Sequence, residues 1–226
     1  IIVRGGFNGL NQSIYQLMSA QNSTLIKLSL IHDAICYIPF ILLLTCIMAY
    51  HLIRNDQPEK GAELFISVSS AFTICFILKY LILYPRPEHI AAFLGNQSLP
   101  SGHSCLTTAF LFAIQPRNDN AKHVQYFCHI FIAVTMLTRI IVGAHWLSDV
   151  LFGWMIGYLG YAIGQMITNL IEAPLLKQLC QKASIVSAGR TASLSVSKTQ
   201  ILSLYCIIAI LFAAITNKLS IAPYLL

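Results

Sequence analysis

Long apolar runs separated by short polar stretches divide the chain. Residues 34–53 form the first clear run, ending at Arg54, and the polar stretch 55–63 (NDQPEKGAE) follows. A second run, 64–83, carries a single charge, Lys79, near its end. Residues 84–100 hold Pro85, Pro87, Gly95 and Pro100, which interrupt any helix. A short run at 101–114 and the polar turn 115–123 (QPRNDNAKH) lead to further runs at 124–142 and 145–171. A Ser- and Lys-containing segment, 172–199, precedes a last run at 200–216. A spanning helix needs about 20 apolar residues, so the pattern predicts an all-α polytopic membrane helix bundle of about six transmembrane helices. Residues 1–33 lack the apolar density to span. Phe7, Leu10, Ile14, Leu17 and Met18 recur there at helical spacing, which predicts an N-terminal interfacial helix.

Composition points the same way. The chain is 57% hydrophobic and 10% charged, with mean hydropathy +0.71, against about 25% charged in a soluble domain. Short loops between spans favour one domain over residues 1–226. The net charge of +6 is scattered singly between apolar runs. No basic stripe with interleaved aromatics is present, so nucleic acid is excluded as a partner and anionic headgroups of the bilayer are expected instead. Seven cysteines lie mostly within apolar runs without a CxxC pair and read as small packing residues. The chain opens on Ile1, the expectation being a trimmed or processed start, and its N-terminus shows no signal-peptide pattern. Alternating spans place Arg54, Lys60, Arg117, Lys122, Lys177, Lys182, Arg190 and Lys198 on one face, which is predicted to be cytoplasmic.

Three polar clusters fall on the opposite face. The second span exits through Lys79 to Arg86-Pro87, the third opens on Pro100-Ser101-Gly102-His103, and Thr138-Arg139 leads through His145 to Asp149 between the fourth and fifth. Singly, each has an ordinary reading: Lys79 could snorkel, His103 could cap its helix, and His145 with Asp149 could be a structural pair. Together they compose a phosphoryl site. Lys79, Arg86 and Arg139 can neutralise phosphate oxygens and the charge that spreads over them in the transition state. Ser101 and Gly102 open a helix whose N–H groups and dipole favour an anion, with Gly102 allowing close backbone approach. Asp149, four residues after His145, is predicted to share a helix face with it and hold one ring nitrogen, leaving the other free to attack phosphorus. His103 can protonate the leaving oxygen. With Asp149 and Glu88 as the nearby carboxylates, the set lacks an Mg²⁺ cage, so no metal and no cofactor are expected.

These clusters resemble the type 2 phosphatidic acid phosphatase (PAP2) superfamily, whose pattern runs K-x6-RP, PSGH and SR-x5-H-x3-D. Every interval matches within residues 79–149, and Thr138 replaces the Ser. The resemblance implies His145 as nucleophile, Asp149 as its orienting partner and His103 as acid, with Lys79, Arg86, Ser101, Gly102 and Arg139 binding phosphate. It implies a hydrolase acting on a membrane lipid phosphate. The layout is similar to small bacterial members of the bacitracin-resistance type, which act on undecaprenyl pyrophosphate, while the run His145–Asp149 also resembles relatives acting on phosphatidylglycerophosphate or lipid A. A bacterial inner-membrane location with the site facing the periplasm or exterior is therefore expected. A phosphotransferase using the same phosphohistidine and a non-enzymatic lipid carrier are the alternatives, and the sequence leaves oligomeric state open. His32, His51, His123 and His129 read as interfacial or packing residues. Glu88 and His89 are candidates for touching the headgroup.

Overall fold

The computed structural model describes residues 8–19, 23–87 and 97–171. Seven α-helices compose them: α1 (Asn8–Ser19), α2 (Ser23–Ile35), α3 (Ile38–Arg54), α4 (Pro58–Ile82), α5 (Gly102–Ile114), α6 (Lys122–Ile141) and α7 (Leu147–Leu170). One 3₁₀ turn, Asp119–Ala121, precedes α6. No strand occurs among the described residues, so the all-α class holds. Among the described residues, four stretches are long and apolar enough to cross a bilayer: Thr24–Arg54, Pro58–Ile82, Asp119–Ile141 and Leu147–Leu170. The expected third span is the shorter α5, and the expected sixth, at 200–216, lies outside the described residues, as does the segment 172–199.

Two boundaries differ from the sequence reading. The first span starts at Thr24 rather than residue 34, because α2 is apolar and runs on toward α3. Pro39, at the second position of α3, lacks an N–H and disfavours helical backbone just before it, so α2 ends at Ile35 and the chain turns through Cys36 and Tyr37. Secondly, α4 begins inside the stretch expected to be a polar loop. Pro58 sits at its start and Glu59 in its first turn, both favourable at a helix N-terminus. Glu63 is buried there and pairs with Arg117 from beyond α5, tying the two helix ends together at the face opposite the polar clusters.

The bundle is apolar outside and small inside. Phe65, Phe76, Leu81, Phe127, Ile130 and Leu151 point outward, where lipid would solvate them, while Ser67, Ser104, Thr107, Thr108 and Thr135 are buried. Lipid tails are as apolar as a leucine face, so helices associate through close backbone approach and polar contacts. Helix α7 shows how. It packs against α4 and α5, and Gly153, Gly157, Gly160 and Gly164 line the contact. A Cβ on Gly153 would sit 2.5 Å from the Ser101 carbonyl oxygen, and one on Gly160 would sit 2.6 Å from the Ala71 Cβ. The first of these contacts brings the start of α5 against the first turns of α7, where the polar clusters meet.

Candidate active site

The residues ahead of α7 form a tight connection out of α6. The Ala144 and His145 N–H groups both donate to the Arg139 carbonyl, at 3.1 and 3.2 Å. Gly143 supplies the required left-handed backbone, with φ of 73°. His145 therefore precedes α7 instead of lying on its face. Its approach to Asp149 has another origin: the Asp149 carboxylate turns back over the helix start and its Oδ2 accepts the Trp146 N–H at 2.9 Å. From that position Oδ2 lies 3.5 Å from His145 Nδ1. The shared helix face expected from the four-residue spacing is thus replaced by a helix cap that brings the same two groups together.

Ser98 completes the arrangement. Its hydroxyl donates to Asp149 Oδ2 and lies 3.4 Å from His145 Nδ1. Ser98 and Asp149 are fully buried, and His145 is 2% exposed. With Nδ1 directed at Asp149 and Ser98, the Nε2 lone pair faces Arg86, whose Nη1 lies 3.3 Å away and also donates to the Ala144 carbonyl at 2.7 Å. Burial lowers the His145 pKa well below its ordinary value, and the charges of Arg139, Arg86 and Lys79 add to the effect. The ring is therefore neutral. Burial likewise lowers that of Arg86, which nonetheless stays cationic.

Lys79, at the end of α4, directs its ammonium to the Gln97 and Ser98 carbonyls, at 3.2 and 3.4 Å. It thereby anchors the segment that carries Ser98. Ser101 caps α5, accepting the Ser104 N–H at 3.5 Å, and its own N–H donates to the Asp149 carbonyl at 3.0 Å. His103 occupies the first turn of α5, half-buried and within electrostatic reach of Lys79, Arg86 and His145. A Cβ on Gly102 would meet Ile38 Cδ1 at 2.7 Å, so its missing side chain admits α3. Arg139 is buried and ion-paired with Asp33 of α2.

The structure thus gathers Lys79, Arg86, Ser101, Arg139, His145 and Asp149 about one end of the bundle, with His103 beside them. Glu88 and His89 lie outside the described residues. Sequence reasoning missed Ser98, Asp33 and the role of α1. Asn11 of α1 donates to Ser148 Oγ at 2.9 Å and accepts the Ser148 N–H at 3.1 Å, so an N-terminal side chain caps α7 beside the site. An acidic residue within an apolar run was the available signal for Asp33. His32, read as packing, contacts Thr135 Oγ1 at 2.9 Å. Among the described residues no three His, Cys, Asp or Glu side chains gather as a metal-ligand set.

A membrane-spanning helical bundle with this polar end is the class that the fold defines, and residues 60–170 match the model of the PAP2 superfamily. The matched stretch holds all three polar clusters, so this part of the chain resembles that superfamily. Among curated proteins it is similar to the lipid A 1-phosphatase of Rhizobium johnstonii, 33% identical over 108 residues that make up 43% of each chain. The lipid A 1-phosphatase of Rhizobium etli is 32% identical over 108 residues, 43% of this chain and 45% of that protein. The match therefore spans less than half the length of either relative. Among solved structures, the PAP2-type phosphatidylglycerolphosphate phosphatase of Bacillus subtilis aligns with a TM-score of 0.64 at 18% identity, covering 76% of this chain and 90% of that one. Aquifex aeolicus LpxE aligns with a TM-score of 0.54 at 18% identity, over 70% and 95%. At such identity these two speak for the fold alone.

Proposed function

We propose that this protein is a metal-independent membrane lipid phosphatase working through a phosphohistidine on His145. The observation that carries the reading is the orientation of that ring. Nδ1 is held toward Asp149 and Ser98 while Nε2 faces the Arg86 guanidinium at 3.3 Å. In the proposed reaction, phosphate oxygens replace the Nε2–Arg86 contact and are bound by Arg86, Lys79 and Arg139, with the α5 N-terminus, capped by Ser101 and opening at Gly102, adding its positive dipole end and the Gly102 N–H. Nε2 forms a bond to phosphorus as the lipid P–O bond breaks, and His103 gives the departing oxygen its proton. Water then attacks the phosphohistidine, loses a proton to His103 and releases inorganic phosphate from Nε2.

A lipid substrate is supported by an apolar cavity of about 710 Å³ between α3, α5 and α6, with Ile41, Leu44, Phe110 and Phe131 in its walls. Its wall residues Cys36 and Thr107 lie one helical turn from His32 and His103 respectively. The curated relatives favour a lipid A-like 1-phosphate as substrate, with phosphatidylglycerophosphate the alternative drawn from the run His145–Asp149. Undecaprenyl pyrophosphate remains the reading drawn from the chain's layout. We place the protein in a bacterial inner membrane on its resemblance to bacterial relatives, with the site facing the periplasm or exterior on the distribution of positive charge.

The test is phosphate release by purified protein in detergent with EDTA, from lipid A, phosphatidylglycerophosphate and undecaprenyl pyrophosphate. Wild type is expected to turn over at least one of them, and His145→Ala to lose roughly 10³-fold or more. Wild type inactive on all three would sink the reading. Equal activity in wild type and mutant would remove His145 as the nucleophile.

A further inference from the structure

The motif clusters assign no role to α2, yet α2 supplies the carboxylate that holds Arg139. Asp33 pairs with the Arg139 guanidinium, and both side chains are largely withdrawn from solvent, 15% and 5% exposed. One residue earlier, His32 contacts Thr135, which lies one helical turn before Arg139 on α6. Helix α2 therefore grips α6 at two successive turns, and the second grip falls on a cation of the phosphoryl site. Arg139 also carries the nucleophile, because its carbonyl accepts the Ala144 and His145 N–H groups. After burial itself, it is the charge that acts most strongly on His145. What fixes Arg139 thus fixes the distance between nucleophile and phosphate-binding charge.

Charge is the second consequence. Lys79, Arg86 and Arg139 bring three positive charges, and Asp149 offsets one of them. Asp33 offsets another, leaving a net charge near +1 beside a phosphate dianion. Product phosphate keeps the full dianionic charge, so each unopposed cation slows its departure. A guanidinium has five N–H donors and can serve a carboxylate on one edge and phosphate on another.

We propose that Asp33 is a positioning residue of the phosphoryl site, orienting the Arg139 guanidinium and lowering the site's positive charge so that free phosphate is bound weakly enough to leave. The inference rests on the phosphatase reading. In the unaltered protein the Asp33–Arg139 pair persists through the cycle, and Arg139 meets phosphate with its remaining donors.

The test titrates detergent-purified full-length wild type, Asp33→Asn and Asp33→Glu with inorganic phosphate, alongside kcat and KM for a lipid phosphate. Asp33→Asn keeps the shape and removes the charge. It is expected to bind phosphate about tenfold more tightly, with KM and kcat falling together because product leaves slowly. Asp33→Glu, which keeps the charge, should bind phosphate within about twofold of wild type. If Asp33→Asn lacks a cooperative melting transition, Asp33→Ser is the second neutral variant and carries the same expectation. Unchanged or weaker phosphate binding in a folded neutral variant overturns the proposal, because a merely structural role loosens the site and cannot tighten it. A wild type that binds phosphate but releases none from lipid would instead reject the phosphatase reading, and the titration would still judge Asp33.

Discussion

At the scale of the residue, His145 is shaped by what surrounds it more than by its place in the chain. It is buried, it faces cations, and its Nδ1 is directed at Asp149 and Ser98. Both burial and the cations disfavour the imidazolium, so the folded pKa lies below that of a free histidine. A nucleophilic ring must be unprotonated, and kcat/KM reports the free enzyme. The acid limb assigned to His145 should therefore fall below pH 6.5, the ordinary histidine value. Profiles of kcat/KM measured with a lipid phosphate from pH 4 to 8 check this. A rise in kcat/KM centred above 6.5 would mean that His145 is protonated more readily than its surroundings allow. The pairing of His145 with Asp149 was legible from spacing, since four residues bring side chains together whether through a helix face or through a cap. Ser98 was not legible. A serine three residues before Ser101 carries no signal of its own, and only the return of the loop toward α7 brings it to Asp149. Asp33 was visible as an acid in an apolar run, but its partner lies 106 positions away and no periodicity links them.

At the scale of the element, hydrophobic runs located the helices, while their ends followed local chemistry that hydropathy averages away. Pro58 and Glu59 start α4 within a stretch that reads as polar loop, and Pro39 divides the first span. The depth to which α7 packs was equally hidden, because a glycine contributes little to a hydropathy average. Gly160 nevertheless sits where a Cβ would meet Ala71 at 2.6 Å and the Ser67 carbonyl at 2.7 Å. Two of those contacts are backbone or short side chain, so relief requires the helices to part. Gly160→Leu is therefore expected to destabilise the bundle by about 3 kcal/mol or more. The site would loosen too, since α7 packs on α4 and α5 together, and shifting it off α4 strains the Ser101–Asp149 contact at the start of α5. Met155→Leu, on the outward face at 56% exposure, should change stability by no more than about 0.5 kcal/mol. Thermal unfolding in detergent, read with phosphate release, compares the two. Equal melting points would mean that the helices tolerate separation and that the glycines matter for something other than packing.

At the scale of the whole molecule, alternation decides where the site is. The polar stretches after α3 and α5 close one end of the bundle, and the exits of α4 and α6 open the other. Arg54, Lys60, Arg117 and Lys122 collect at the first end, where Glu63 pairs with Arg117 and Asp119 with Lys122. Cytoplasmic loops retain Lys and Arg, so this end is expected inside and the site outside. The site's own cations, Lys79, Arg86 and Arg139, oppose that bias if they are counted, but each is engaged with protein groups there. They answer to the site's chemistry and are poor reporters of insertion. The two counts separate cleanly in an experiment with a membrane-impermeant thiol reagent on spheroplasts. Leu83→Cys, beside the site and 63% exposed, should be labelled. Asp119→Cys, in the turn ahead of α6 with its side chain 93% exposed, should be labelled only after the membrane is opened. The reverse pattern would turn the site to the cytoplasm, where it would meet lipid phosphates as they are made rather than after they have crossed the membrane. That outcome would leave the chemistry of His145 untouched and change which lipids can reach it.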